Sequence, residues 1–239
     1  IGKNAAPIVV KGGRINLSED TFSLSELSGE YGRNSQFSDA RVSFGKLSGK
    51  NGPTLEGQIS ADLSLSDDLL QLLTALTPTR SAAVSQFIAE PQGRAVVQFH
   101  VLRESRKSEP QYHGSITLQQ VGGLLLPWNL KLDEMSGALQ LRENALSFSA
   151  LAFKIGQSQL NAQGLVREIF SARRSADLTL AFTEVRDHDV APFLPLGKVL
   201  PQNGSLDGQL KMTVAAGGEL SDVAGQLLLK RIRLDLVDF

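Results

Sequence analysis

The chain nearly repeats itself at long range, and that repetition limits its possible folds more than any other feature. Ser60-Ala61-Asp62-Leu63-Ser64-Leu65 returns 115 residues later as Ser175-Ala176-Asp177-Leu178-Thr179-Leu180. Upstream, Gly13-Arg14-Ile15-Asn16-Leu17 matches Gly137-Ala138-Leu139-Gln140-Leu141 at a separation of 124. Phe22 to Leu27 matches Leu146 to Leu151 at the same separation. Downstream, Gly93 pairs with Gly204 and Gly114 with Gly225, both 111 apart. The separation shrinks in steps, as insertions and deletions in connecting loops would make it do. A self-similar chain stacks one supersecondary unit on another, so its function belongs to an extended surface, not to one pocket. The expected units are residues 1–122 and 123–239.

Within each unit apolar residues alternate with period two, the signature of half-buried strands. Ile15 and Leu17 precede the polar Ser18-Glu19-Asp20-Thr21, and Phe22 and Leu24 follow it. Leu139 and Leu141 stand in the same relation to Leu146 and Phe148 across Arg142-Glu143-Asn144. Each reads as a β-hairpin. Phe153 and Ile155 lead into a turn at Gly156-Gln157-Ser158, and Leu160, Ala162 and Leu165 follow. Further strands are expected over Leu178 to Phe182, Gly208 to Val214 and Gly225 to Leu236, with Gly12-Gly13 and Gly122-Gly123 as turns.

Helix is expected only as an insertion near residues 67–90 of the first unit. Ser66 caps Asp67-Asp68, and Leu69, Leu72, Leu73 and Leu76 share one helical face before Pro78. Ser81 to Ala89 forms a second short helix, ended before Pro91. The corresponding stretch of the second unit, Val190 to Leu196, holds about one turn. Trp128, the one tryptophan, is expected to pack at the junction between units.

Composition narrows the function classes. The chain has 239 residues, with 24 Lys and Arg against 25 Asp and Glu, a net charge of −1. No basic excess points to nucleic acid, and 6% aromatic content does not supply a base-stacking platform. Cysteine is absent, which removes disulfides, thiol catalysis and thiolate metal sites. No nucleophile elbow and no phosphate loop occurs. Three histidines exist, His100, His113 and His188. Asp187-His188-Asp189 is expected to be a solvated loop, because adjacent side chains diverge and rarely converge on one ion. The expectation is a non-enzymatic protein with no metal and no cofactor. The first residue is Ile1 and no apolar run reaches the roughly 18 residues of a membrane helix, so the chain reads as a section of something longer.

The order of motifs carries a resemblance. Met135-Ser136-Gly137-Ala138-Leu139-Gln140-Leu141 is followed by Ala145 to Leu151, and then by Gly156-Gln157-Ser158-Gln159-Leu160-Asn161-Ala162-Gln163-Gly164. Asp177-Leu178-Thr179-Leu180 comes next, and Gly208-Gln209-Leu210 and Gly225-Gln226-Leu227 look like closing strands. This series resembles the repeating unit of AsmA-like proteins of the Gram-negative cell envelope, which are related in style to TamB and to bridge-like lipid transfer proteins. The resemblance implies an elongated, curved antiparallel sheet, a β-taco with a hydrophobic concave groove. It also implies a periplasmic protein tethered to the inner membrane by a segment outside this chain. Phospholipid or fatty acyl chains would be its cargo, and outer-membrane proteins further partners.

Two functions from different classes follow. In the first, the chain conducts or holds acyl chains along a groove lined by Ile15, Leu17, Phe22, Leu24, Leu139, Leu141, Leu146, Phe148, Leu178, Leu180, Leu210, Met212, Leu227 and Leu229. In the second, it is a structural or docking module in outer-membrane protein assembly or envelope maintenance, and the same side chains are buried sheet against sheet. Which face of each strand turns inward is open at this point, because a one-residue slip in register reverses every assignment.

Overall fold

Strands with one greasy edge and short polar connections pair most cheaply with their sequence neighbours. The chain does this throughout. The structure, a computed structural model, describes residues 8–32, 34–49, 52–65, 88–126, 129–169, 173–186, 189, 204–215 and 220–230. The described strands are β1 (Ile8–Leu17), β2 (Thr21–Tyr31), β3 (Ser35–Gly45), β4 (Thr54–Ser64), β5 (Ile88–Arg103) and β6 (Gln111–Leu125). They continue as β7 (Leu130–Arg142), β8 (Ala145–Ile155), β9 (Ser158–Arg167), β10 (Ser175–Arg186), β11 (Ser205–Val214) and β12 (Leu220–Lys230). All twelve belong to one antiparallel sheet whose spatial order is the chain order, and β1 and β12 form its open edges. The protein is therefore mainly β.

The expected hairpins are present. Leu17 faces Phe22 and Ile15 faces Leu24 across the first turn. Leu141 faces Leu146 and Leu139 faces Phe148 across the turn at Glu143 and Asn144. Ile155 faces Ser158 across Gly156-Gln157, where Gly156 takes φ +58°.

Several expectations need correction. Gly12-Gly13 and Gly122-Gly123 are not turns. They lie inside β1 and β6 at shifts of register. Strand β12 begins at Leu220, five residues before the expected Gly225. The expected helices fall on residues 66–87 and 190–196, outside the described residues, as does Trp128. Where the second helix was to end, Ile88 and Ala89 already belong to β5. Pro91 sits beyond them in that strand, at a shift of register, where a missing N–H does no harm. The boundary expected at 122/123 falls inside β6, which pairs with β7 on both sides of it.

The matched segments fall on strands six apart. Gly13 and Gly137 lie in β1 and β7, Phe22 and Leu146 in β2 and β8, Ser60 and Ser175 in β4 and β10, and Gly114 and Gly225 in β6 and β12.

Shifts of register recur at nine of the eleven ladders, leaving β4–β5 and β9–β10 regular. Six strands carry a non-glycine residue in the left-handed region: Glu26, Asp39, Glu90, Gln120, Glu134 and Glu184, with φ of 50–54°. All six are exposed. A β-bulge inserts one unpaired residue and bends the strand. It also exchanges the parity of every residue beyond it. In β7, Leu132 and Leu139 are an odd number of residues apart, yet both join the same face, because the bulge at Glu134 takes up the extra residue.

This gives a test. A left-handed φ costs an L-residue about 1–2 kcal/mol, which glycine avoids. Glu134→Gly is therefore expected to be neutral or to raise stability by up to about 1 kcal/mol in urea unfolding. Deleting Glu134 turns the apolar set of half the strand to the polar side and is expected to abolish cooperative unfolding.

Candidate functional site: the apolar face

Residues paired directly across strands share a face. One row can be followed through all twelve strands: Val10, Gly29, Phe37, Ala61, Val97, Ile116, Leu139, Phe148, Gly164, Leu178, Met212 and Val223. None of the twelve is polar. One residue along, on the opposite face, the row from β3 to β12 reads Ser38, Ser60, Gln98, Ser115, Gln140, Ser147, Leu165, Asp177, Thr213 and Asp222. The sheet thus has two faces of opposite character, in register from strand to strand.

All fourteen residues expected to line a groove lie on the apolar face. Ile15 joins it through Leu24 and Val42, and Leu227 and Leu229 through Gly208 and Leu206. Their exposure is graded. Ile15 and Leu17, on the edge strand, are 72% and 76% exposed, and Leu229 is 48% exposed. Leu141, Leu180 and Leu210 are buried, and the other eight are half-buried. Sequence reasoning missed Val10, Phe37, Ala61, Val97 and Ile116. Their strands carry bulges or glycines that interrupt simple alternation. An apolar–polar–polar–apolar step, such as Leu24-Ser25-Glu26-Leu27, was the available sign.

One end of the face is sealed. Leu130, Leu132, Ile155, Leu160, Leu180, Phe182, Val185, Leu206 and Leu210 form a buried cluster, with Leu206 and Val185 at 0% exposure. Asp189, expected in a solvated loop, is buried beside this end and accepts hydrogen bonds from Ser158 Oγ at 2.7 Å and the Gln157 backbone N–H at 3.2 Å. Ser158 Oγ in turn accepts from the Arg186 N–H at 2.8 Å. The Asp189 carboxylate closes against Gly156, where any Cβ would collide with it. It is a clasp on the β8–β9 turn. His188 lies outside the described residues.

Charge lies mostly on the polar face and the connections; Arg103, at the end of β5 on the apolar face, turns its guanidinium to the Ser105 and Arg106 carbonyls. Arg94 pairs with Asp62 at 2.5 Å, Arg167 with Asp177 at 2.6 Å and Lys154 with Glu134 at 2.6 Å. Such exposed pairs contribute little each. Asp20 accepts from the Ser48 N–H at 3.1 Å and its hydroxyl at 2.8 Å, tying two neighbouring turns together and holding its carboxyl below the ordinary range. The Arg167 guanidinium does the same to Asp177. Asp207 is held down first by Lys230 Nζ at 2.5 Å and then by the Glu184 N–H at 2.7 Å. The Asp207 carboxylate raises Lys230 in return.

His100 and His113 stand directly opposite one another in β5 and β6, on the polar face. Among the described residues no group of three His, Cys, Asp or Glu side chains is placed to hold a metal ion. No described helix is long and apolar enough to cross a membrane. Comparison of the chain with protein-family models, with curated proteins and with solved structures gives no match.

Two outcomes test this geometry. Leu206→Ala is expected to cost about 2–5 kcal/mol in urea unfolding, and Leu228→Ala, on the exposed polar side, less than about 0.5 kcal/mol. The second concerns pH. A depressed carboxyl adds stability that is complete above its unfolded value near 3.9 and fades as pH falls through its folded value. Lys230 is raised, so its contribution is lost only at alkaline pH. Acidification from about pH 5 to pH 2 is therefore expected to lower the melting temperature of the wild type more than that of Asp207→Asn.

Proposed function

We propose that this chain is a non-enzymatic, lipid-holding section of a bacterial envelope protein of the AsmA-like kind, with acyl chains lying on the apolar face of the sheet. One observation carries the reading. An unbroken apolar row crosses all twelve described strands, and every described strand belongs to the same sheet, so none forms a second layer over that row. A sheet with one greasy face ordinarily buries it against another layer. An acyl chain is a suitable cover, since each CH₂ taken from water is worth about 0.8 kcal/mol. The bulges that bend the strands favour a curved trough.

The long-range repetition fits the same picture. A Cβ on Gly13 would run into Leu27 Cδ2, and one on Gly137 would lie 2.8 Å from Leu151 Cδ2. Gly114 is closed by Phe99, and Gly225 by Leu210. Each pair keeps its partner at the same offset, as two tandem units built on one plan would. A repeated unit lengthens a trough without changing its cross-section. The remaining elements of the reading rest on the resemblance: a periplasmic location, an inner-membrane tether supplied outside this chain, and outer-membrane proteins as partners.

The sealed cluster around Leu160, Val185 and Leu206 favours a second reading for that end of the sheet. There the apolar face behaves as an ordinary core, as a structural or docking module would have it.

Native mass spectrometry after gentle extraction is expected to find phospholipid on the protein. Leu139→Gln, in the middle of the row, is expected to weaken binding of a fluorescent fatty acid about fivefold, equivalent to about 1 kcal/mol. Gln140→Ala, on the other face, should leave it unchanged. A protein that is lipid-free as isolated and takes up no fatty acid would sink the proposal.

A further inference from the structure

The polar face has a concavity of its own. Over β4 to β7 two parallel rows of four side chains border a depression of about 420 Å³. The upper row runs Gln58, His100, His113, Arg142, each directly opposite the next. The lower row runs Ser60, Gln98, Ser115, Gln140 in the same strands.

The composition of this lining selects a chemistry. Three groups that carry or acquire positive charge stand side by side on adjacent strands: His100, His113 and Arg142. Direct cross-strand neighbours have Cβ atoms about 5 Å apart, close enough for two of them to share one ligand group. No carboxylate lines the depression. Glu56, two residues before Gln58 on the same face of β4, has Oε1 at 3.4 Å from His100 Nε2. Asp62, one row lower, is engaged by Arg94. Arg41 extends the upper row on β3 opposite Gln58, adding to the positive field, and Glu143 lies in the turn beyond Arg142. Arg142 and His113 are exposed. The remaining lining is three amides, two hydroxyls and the intervening row Ile59, Phe99, Gly114 and Leu141, which belongs to the apolar face. The amides and hydroxyls make directional hydrogen bonds to the hydroxyl groups of a polar solute.

We propose that this depression binds a polar solute bearing a phosphate or sulfate group, with His100, His113 and Arg142 on the oxyanion and the amides and hydroxyls on the rest of the molecule. A phosphorylated sugar is the representative ligand. The site is on the face opposite the apolar row, so it stands whether or not lipid occupies that row. Guanidinium and imidazolium donors make charge-assisted hydrogen bonds to such oxygens, which are stronger than neutral ones. Histidine is the side chain whose charge ordinarily changes between about pH 5 and 8.

The full chain is titrated with inorganic sulfate, whose charge is constant over that range, while the imidazole C–H resonances are followed by NMR. Glucose 6-phosphate is titrated by calorimetry. Sulfate is expected to move the His100 and His113 signals, and to bind about threefold or more tighter at pH 6 than at pH 8. His100→Gln with His113→Gln should remove that difference. Arg142→Gln should weaken both probes about tenfold, consistent with the loss of a charge-assisted contact. Gln98→Ala should weaken glucose 6-phosphate and spare sulfate. Lys211→Gln, a lysine on the same face in β11, should alter neither probe. The proposal is overturned if sulfate leaves both imidazoles unmoved, or if Lys211→Gln costs as much as Arg142→Gln. It is also overturned if vesicles containing phosphatidylglycerol bind through Arg142 and glucose 6-phosphate does not bind, because the anion would then be a lipid headgroup. Circular dichroism of each variant, all altered at the surface, confirms that the sheet is intact.

Discussion

Everything in this protein depends on keeping the apolar side chains of twelve strands on one side of a single sheet. Period-two alternation does this only while the count stays even. Strands of ten to sixteen residues that bend must insert a residue, and each insertion would turn the rest of the strand over. In six strands the chain handles this with a left-handed residue that is polar and exposed. Glu26, Asp39 and Glu134 spend conformational energy so that Leu27, Ala40 and Met135 stay with their neighbours. Bend and facial identity are thus set by the same residues.

That arrangement explains which parts of the fold were legible in the residues. The hairpins around Ser18 to Thr21 and around Glu143 have no bulge near the turn, so alternation and turn chemistry agreed. Strands β3, β5 and β6 are interrupted by Asp39, by Glu90 with Pro91, and by Gln120 with a glycine pair. Their alternation restarts out of phase, and a period-two reading loses them. Gly12-Gly13 looked like a turn for the same reason: glycine marks both turns and close backbone approach. Asp189 was misread because nothing local announces that a carboxylate will be drawn under a turn 31 residues away.

The candidate site divides in the same way. Pattern alone found fourteen residues of the apolar face, since each lies in an uninterrupted stretch. It did not find that they belong to a continuous row, because that depends on strand order and register. The two histidines illustrate the point from the other face. In sequence they are 13 positions apart and unremarkable, and only the β5–β6 ladder sets them directly opposite each other, with Arg142 beyond.

The apolar row runs across the strands, taking one residue from each. At about 4.8 Å per strand it extends roughly 50 Å. Its position also drifts, from near the start of β1 at Val10 to near the start of β12, an oppositely directed strand, at Val223. Anything resting along it touches twelve separate segments once each and depends heavily on none. Damage to such a track is tolerated gradually: a lost rung interrupts the greasy path locally, and the rungs on either side stay in place.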